Sequence, residues 1–155
     1  MSAAVFDRLQ QLLAGSHVLL EVLRHEPVFT SAEAAAIRGT TLASGAKALV
    51  CKADERFVMI VLPADRKLAS KRIRQALGWR SLRFADRAEV AQLTGLEPGS
   101  IPPFGSLFGL PTYCDERLAA NERINFNAGD HAISISLAYR DRLQVEQPTL
   151  GLFAE

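Results

Sequence analysis

The chain has 155 residues, 48% of them hydrophobic, which is enough for one domain with a substantial core and too short to indicate two. The net charge of +1 favours neither a nucleic acid nor a membrane as a partner of the whole chain, and the two cysteines indicate neither a zinc motif nor a disulfide framework. With no secretory segment or membrane span visible, we predict a single cytoplasmic domain over residues 1–155.

The first forty residues predict two helices and a strand. Apolar side chains recur at helical spacing over residues 5–13 and Gly15 follows, which indicates a first helix ending near residue 14. Residues 18–23 form a short apolar run typical of a strand. A capping box at residues 30–33 begins a second helix, and Gly39 ends it.

The middle of the chain predicts a hairpin, a helix and a further strand. Residues 46–53 and 57–63 flank a short polar connection, so we expect two antiparallel strands through the core. Asp65 is placed to cap a third helix, which Gly78 ends. A strand is expected near residues 81–84.

The last third of the chain adds a fourth helix and a second hairpin. A capping box at residues 86–89 begins the helix and Gly95 ends it, while residues 115–120 suggest a helical turn. Short strands are expected at residues 111–114, 123–126 and 132–137. The last two strands flank a turn sequence, so we expect them to pair. The fold class predicted is mixed α/β, a largely antiparallel core sheet with four or five helices.

Residues 95–105 form an unusual loop, with three glycines, three prolines and one charge. The apolar residues Leu96, Ile101 and Phe104 favour a loop that lies on the body of the protein. Its glycines would let a ligand approach backbone N–H groups, and its prolines would keep the segment out of a sheet or helix. A rigid pocket wall and a tight connection over a core edge are both consistent with this composition.

Lys47 places an amine on an apolar strand face. Alternation along the strand puts it on the same side as Leu49 and Cys51. Such a lysine either extends past the strand end into solvent, or points into a cavity where an anion neutralises it.

The third predicted helix and the segment after it are strongly basic. Seven cations and no acid lie between residues 66 and 83. We expect three of them, Lys67, Lys71 and Arg74, to share one helix face. This face is either a solvated surface or a contact for a nucleic-acid backbone.

His131 and residues 115–116 are the remaining candidates. The histidine follows a turn and is either a surface residue or a polar group that orients a substrate or water. Asp115 and Glu116 lack further ligands at metal-binding spacing and are better explained as a helix cap, so no metal and no cofactor are predicted.

Three motifs together resemble the YbaK/ProX family, stand-alone relatives of the editing domain of bacterial prolyl-tRNA synthetase. They are the Gly-Ala-Lys-Ala-Leu-Val segment containing Lys47, the Gly- and Pro-rich stretch over residues 94–105, and Phe-Asn-Ala-Gly at 126–129. The resemblance implies an editing-domain fold and a trans-acting deacylase that hydrolyses the ester joining a wrong amino acid to tRNA. It implies mischarged tRNA as the partner, without DNA, membrane or cofactor, and leaves a synthetase partner open.

The resemblance also implies roles for individual residues. Lys47 corresponds to a family lysine that engages the terminal adenosine and its phosphate, and Gly105 to a loop glycine whose N–H holds the substrate carbonyl region. Further implied substrate-binding residues are Thr30, Pro103, Phe104, Asn127, Gly129 and His131. Ala48 stands where many cysteine-specific relatives carry threonine, which leaves the amino acid undetermined. A non-catalytic module that binds tRNA ends or an aminoacyl or nucleotide ligand is the alternative.

Overall fold

Within residues 2–155, which the computed structural model describes, five α-helices surround two β-sheets. The helices are α1 Ser2–Gly15, α2 Ser31–Arg38, α3 Ser70–Leu77, α4 Arg87–Thr94 and α5 Tyr139–Glu146. The strands are β1 Leu20–Arg24, β2 Ala46–Ala53, β3 Arg56–Pro63, β4 Leu82–Phe84, β5 Thr112–Asp115, β6 Arg123–Asn127, β7 Ile133–Ala138 and β8 Thr149–Gly151. No helix of the described chain is long and apolar enough to cross a membrane.

The predicted hairpins are both present, but they belong to different sheets. β2 and β3 pair antiparallel in a five-stranded sheet of order β4-β2-β3-β5-β8, in which β5 is parallel to β3 and to β8. β6 and β7 pair antiparallel in a separate three-stranded sheet, with β1 on the other side of β7. The mixed α/β class is confirmed, whereas the strands form two sheets rather than the one core sheet predicted.

Local capping determines the ends of α2 and α4, as the sequence predicts. Thr30 accepts a hydrogen bond from the Glu33 N–H while the Glu33 side chain accepts one from the Thr30 N–H, and Asp86 and Glu89 repeat this exchange at α4. Each helix ends at a left-handed glycine, Gly39 or Gly95. Reciprocal capping satisfies N–H groups that a helix start otherwise leaves unbonded.

The start of α3 differs from the prediction. The helix begins at Ser70 rather than after Asp65, and no side chain caps it. The preceding segment is extended because it pairs with the C-terminal tail: Lys67 exchanges two backbone hydrogen bonds with Glu155, and the Ala69 N–H donates to the Phe153 carbonyl. Lys67 therefore does not belong to the helix that carries Lys71 and Arg74.

The core lies on both faces of the larger sheet. β3 is buried from Val58 to Leu62, as expected of a strand covered on both sides. Met59 and Val61 pack into a cluster with α1, the 95–105 loop and the smaller sheet. Val58, Ile60 and Leu62 face the opposite way and pack against Ile73 of α3 and against Phe153.

Candidate active site

A cavity of about 350 Å³ opens between α2, the first half of β2, the 95–105 loop and β6. β4 pairs only with Cys51, Lys52 and Ala53 of β2, so the earlier part of β2 extends beyond the end of β4. On the side away from β3, residues 46–50 of β2 thus line the cavity instead of pairing with β4. The cavity is a consequence of the short edge strand β4.

Lys47 lies half-buried in the cavity lining, opposite Leu62 of β3. Burial is the main cause that lowers the pKa of its ammonium group; Asp65 acts in the opposite direction and Lys67 lowers the pKa further. No carboxylate of the described chain lies within ion-pair distance of Lys47. The cavity alternative for this lysine is therefore favoured over the solvent one, and its ammonium is available to an anion.

Arg38 is the second cation of the cavity lining. Its Nε donates to Ser134 Oγ and its Nη2 to Asn127 Oδ1, each over 2.8 Å. Burial lowers the pKa of the guanidinium to about 10. No sequence signal distinguishes Arg38, because an arginine in the last turn of a helix is common as a partner for the helix dipole.

No aspartate or glutamate of the described chain lines this cavity. Its walls are mostly small and apolar, and its two cations belong to different elements, α2 and β2. A ligand with negative charge or a polarised carbonyl group fits such a lining, whereas a metal ion does not. In agreement, residues 2–155 contain no group of three or more His, Cys, Asp or Glu side chains that could hold a metal.

Of the glycines in the 95–105 loop, Gly99 lines the cavity. Its φ of +91° is a conformation that favours glycine. Its carbonyl accepts a hydrogen bond from Asn127 Nδ2 over 2.7 Å, while its N–H has no acceptor among the described residues. Gly99 therefore presents a backbone donor at an exposed point of the cavity wall.

Gly105 lies outside the cavity lining, which corrects the expectation that its N–H faces the substrate. That N–H donates to Thr112 Oγ1 over 3.1 Å, and the Thr112 hydroxyl in turn donates to Glu146 Oε2 over 2.6 Å. The donor is buried and already bonded, so it cannot serve a ligand without losing a protein partner. Gly105 therefore packs the C-terminal end of the loop against the protein interior.

Pro103 and Phe104, near the end of the loop, are also buried and lie outside the cavity lining. The Pro103 carbonyl accepts a hydrogen bond from Arg142 Nη2 over 2.6 Å. Phe104 packs edge-on against Phe126 with ring centroids 5.5 Å apart. The loop thus lies on the protein body, as its apolar residues predict. These two residues anchor its C-terminal end through their contacts with Arg142 and Phe126.

The remaining implied site residues divide into two groups. Thr30 and Asn127 line the cavity. Gly129 and His131 do not: the Gly129 N–H donates to the Ser100 carbonyl, and His131 lies behind the loop with Nε2 3.5 Å from Glu97 Oε2. Both tie the turn after β6 to the back of the loop, which places them next to the cavity wall but not on its inner surface.

Two exposed aromatic side chains stand at the opening of the cavity. Phe29 and Phe84 both line it, yet they are 68% and 60% exposed. Aromatic side chains that remain exposed beside cationic groups are surfaces on which unpaired bases stack. Sequence analysis missed both, because an isolated phenylalanine in a loop or edge strand carries no distinguishing pattern.

The predicted basic residues lie outside the cavity lining, on α3 and in the segment before it. Lys67 and Lys71 are exposed and Arg74 is half-buried. Lys67 is near enough to Lys47 to lower the pKa of that residue. Lys67 therefore adds positive charge beside Lys47, while Lys71 and Arg74 belong to α3.

Neither cysteine offers a nucleophile. Burial raises the pKa of the Cys51 thiol to about 12 and also raises the pKa of Cys114. Both side chains are fully buried in the core. The chemistry of the cavity therefore depends on cations and backbone donors rather than on a thiolate.

Comparisons with known proteins agree with this geometry. The model of the aminoacyl-tRNA editing domain family matches residues 25–145. A multifunctional Ser/Thr-tRNA deacylase of Escherichia coli, ProXp-y, is 36% identical over 152 residues, covering 95% of this chain and 91% of the relative. A proline–tRNA ligase of Bacillus licheniformis is 35% identical over 82 residues, 52% of this chain and 14% of the ligase.

The fold has close neighbours among solved structures. One, described as a candidate trans-editing enzyme for prolyl-tRNA synthetase, superposes with a TM-score of 0.84 at 23% identity and covers 97% of both chains. A hypothetical protein of 20% identity superposes with a TM-score of 0.86 over 95% of this chain. At these identities the superpositions establish a shared fold.

Proposed function

Because this chain belongs to the aminoacyl-tRNA editing domain family, we propose that it is a trans-acting aminoacyl-tRNA deacylase that hydrolyses the ester of mischarged tRNA. The observation that carries the proposal is the meeting of Lys47 and the Gly99 backbone in one cavity without carboxylates. A cation and a free N–H are the groups needed to hold a phosphate and to polarise an ester carbonyl. The full-length similarity to a stand-alone deacylase supports action in trans.

Lys47 is proposed to bind the terminal adenosine and its phosphate. Its ammonium is half-buried and lacks an ion-pair partner in the described chain, so a phosphate oxygen would provide the missing counter-charge. Asn127 and Thr30 line the same cavity and are proposed to contact the substrate there. Phe29 and Phe84 would flank the nucleotide where it leaves the cavity.

The Gly99 N–H is proposed to stabilise the reaction's oxyanion. Water attacks the ester carbonyl carbon, and the carbonyl oxygen becomes negatively charged as the tetrahedral intermediate forms. Collapse of the intermediate breaks the bond to the ribose oxygen, which takes up a proton, and releases the free amino acid. A neighbouring ribose hydroxyl helps to position the water, so the reaction requires neither a protein nucleophile nor a metal.

The cavity wall suits selection of the amino acid by size. Ala34, Ala35, Ala46 and Ala48 are small lining residues that leave space for a short side chain. An amino acid too large for the space that these alanines leave would be excluded, while smaller wrong ones would enter. Serine and threonine, named in the relative's description, are the first amino acids to test.

The surface formed by the three basic residues Lys67, Lys71 and Arg74 is proposed to contact the tRNA backbone. Its exposed cations lie on the side of Lys47 and could neutralise phosphates that precede the terminal nucleotide. A synthetase that supplies the mischarged tRNA is a further candidate partner.

A panel of mischarged tRNAs tests the proposal. The purified chain in excess is mixed with tRNA carrying radiolabelled serine, threonine, alanine or cysteine, and loss of the amino acid is followed in a single turnover. We expect at least one substrate to be hydrolysed far faster than in buffer, and Lys47→Met to lower that rate at least tenfold. Binding without hydrolysis of any substrate would instead support the non-catalytic module.

A further inference from the structure

We infer that Arg38 is a positioning residue of the candidate site, which orients the Asn127 amide and through it the backbone of Gly99. The inference rests on the proposed function, because Gly99 is taken there as the oxyanion donor. It concerns a residue that no motif in the sequence identifies. The contacts around the Arg38 guanidinium carry it.

From the end of α2, the Arg38 guanidinium forms hydrogen bonds with two other elements, β6 and β7. Nε donates to Ser134 Oγ on β7 and Nη2 donates to Asn127 Oδ1 at the end of β6, each over 2.8 Å. His25 Nε2 lies 2.7 Å from the same Ser134 hydroxyl. Because a guanidinium is a rigid planar fork, these two bonds fix its orientation relative to the smaller sheet.

Arg38 decides which way the Asn127 amide faces. A guanidinium only donates hydrogen bonds, so it must face the amide oxygen, and the amide nitrogen is then directed to the Gly99 carbonyl, 2.7 Å away. The Gly99 carbonyl only accepts and favours the same orientation, so without Arg38 the amide would lose one of the two contacts that fix it. The direction of both hydrogen bonds, from Arg38 to Asn127 and from Asn127 to Gly99, is therefore fixed.

The Gly99 backbone needs such a restraint. It lies at a φ of +91°, is exposed, and has an N–H without an acceptor among the described residues. The bond from Asn127 is the hydrogen bond that its carbonyl receives from the body of the protein. A donor held in this way is ready before the substrate binds, which is the condition under which an oxyanion contact is most effective.

Electrostatics argue against a purely structural role for Arg38. No carboxylate of the described chain pairs with it, although a buried charge is normally compensated by an opposite one. For the same two bonds alone, a neutral side chain would avoid the cost of desolvation. Retention of an uncompensated guanidinium at the cavity wall is explained if it sets the active geometry.

The test compares Arg38→Lys, Asn127→Ala and the double variant. Lysine keeps the charge but cannot donate to Ser134 and Asn127 in the same fixed fork. Arg140→Lys, on the exposed surface of α5, is the matched control. Each protein is assayed by single-turnover deacylation of the best substrate of the panel, with the rate at saturation, the half-saturating protein concentration and the melting temperature all measured.

We expect Arg38→Lys to lower the saturated rate about 10- to 100-fold, because misplacement of a reacting group by about an ångström has effects of this size. The half-saturating concentration should change less than about threefold, and the control should match the parent. The double variant should be no slower than Asn127→Ala, because both changes break one chain of contacts. A rate for Arg38→Lys within threefold of the parent, or single effects that multiply in the double variant, would overturn the inference.

If no tRNA in the panel is hydrolysed, the proposed function is contradicted. A second measurement then still tests the inference about Arg38. The side-chain amide protons of Asn127 are followed by ¹⁵N nuclear magnetic resonance in the parent and in Arg38→Lys. We expect slowed exchange with solvent in the parent and faster exchange in the variant. Equal exchange in both proteins would show that Arg38 does not hold this amide, and would overturn the relay whatever the activity.

Discussion

Replacement of Gly105 by alanine separates packing from catalysis in the loop. A methyl carbon at this position would lie 2.5 Å from the Leu110 carbonyl oxygen and closer still to Thr112 Oγ1. The Leu110 backbone cannot move away easily, because its own N–H donates to the Gly105 carbonyl. The Thr112 hydroxyl is held by Glu146. The alanine variant must therefore break contacts that the parent makes.

The cost follows from these contacts. Overpacking of a buried site costs about 1 to 3 kcal/mol, and each of the two hydrogen bonds of Thr112 that would be strained contributes about 1 kcal/mol. The sum is a loss of about 3 to 5 kcal/mol in the free energy of unfolding. For a domain of this size that lowers the melting temperature by about 6 to 20 °C.

Urea unfolding and thermal melts measure this change, and single-turnover deacylation at a temperature where the variant is folded measures its activity. We expect Gly105→Ala to be unstable but to retain most of its activity per folded molecule, since its N–H already bonds Thr112. A melting temperature within about 2 °C of the parent, combined with a large loss of rate, would refute this reasoning and return Gly105 to the reaction.

Gly99→Ala is the matched comparison within the same loop. Here an added methyl carbon meets only His131 Cε1, at an ordinary contact distance of 3.6 Å, but the φ of +91° strains any residue other than glycine. The stability cost should be about 1 to 3 kcal/mol. The rate should fall at least tenfold, because the donor is displaced. The two glycines are thus expected to show opposite balances of stability and activity.

Three further predictions concern charge. Because burial and Lys67 lower the pKa of Lys47, the affinity of the protein for adenosine 5′-phosphate should weaken with rising pH before the usual lysine range is reached. In Lys67→Gln, with affinities expressed relative to that variant's own value at low pH, the midpoint of this loss should move to higher pH. An unchanged midpoint would contradict the coupling between Lys67 and Lys47. Burial alone would raise the pKa of Asp115, but hydrogen bonds from Arg117 and the backbone of the C-terminal tail outweigh it and lower the pKa. A lowered carboxyl pKa stabilises the fold above about pH 4 and loses this contribution in acid, so urea unfolding should show Asp115→Asn clearly less stable than the parent at pH 7 and the gap narrowing toward pH 3. Alanine at all three residues of the basic surface should reduce the log–log salt slope of tRNA binding by about 0.7 to 0.9 per lost phosphate contact, whereas an unchanged slope would assign these residues to solvent: Lys67, Lys71 and Arg74.

Local signals were sufficient where the structure depends on neighbouring residues. The capping boxes at Thr30 and Asp86 and the β2–β3 hairpin appear as the sequence predicts, because each is stabilised by contacts within a few residues. The predicted start of α3 was wrong because it depends on residues distant in the chain. Its preceding segment is extended by pairing with Glu155 and Phe153, more than 80 positions away.

The amino-acid sequence by itself determined the class of the fold and the apolar character of the 95–105 loop, and it singled out Lys47, which lines the cavity. These follow from strand alternation, local composition and recognisable motifs, all of which are properties of contiguous residues. Only the tertiary structure decided which glycine faces the cavity. Gly99 and Gly105 have the same conformational freedom, and they differ because Thr112 approaches one of them and the open cavity adjoins the other. The contacts of Arg38 were decided in the same way, since its partners Asn127 and Ser134 lie almost 100 residues away along the chain and reach it only when β6 and β7 pack beside α2.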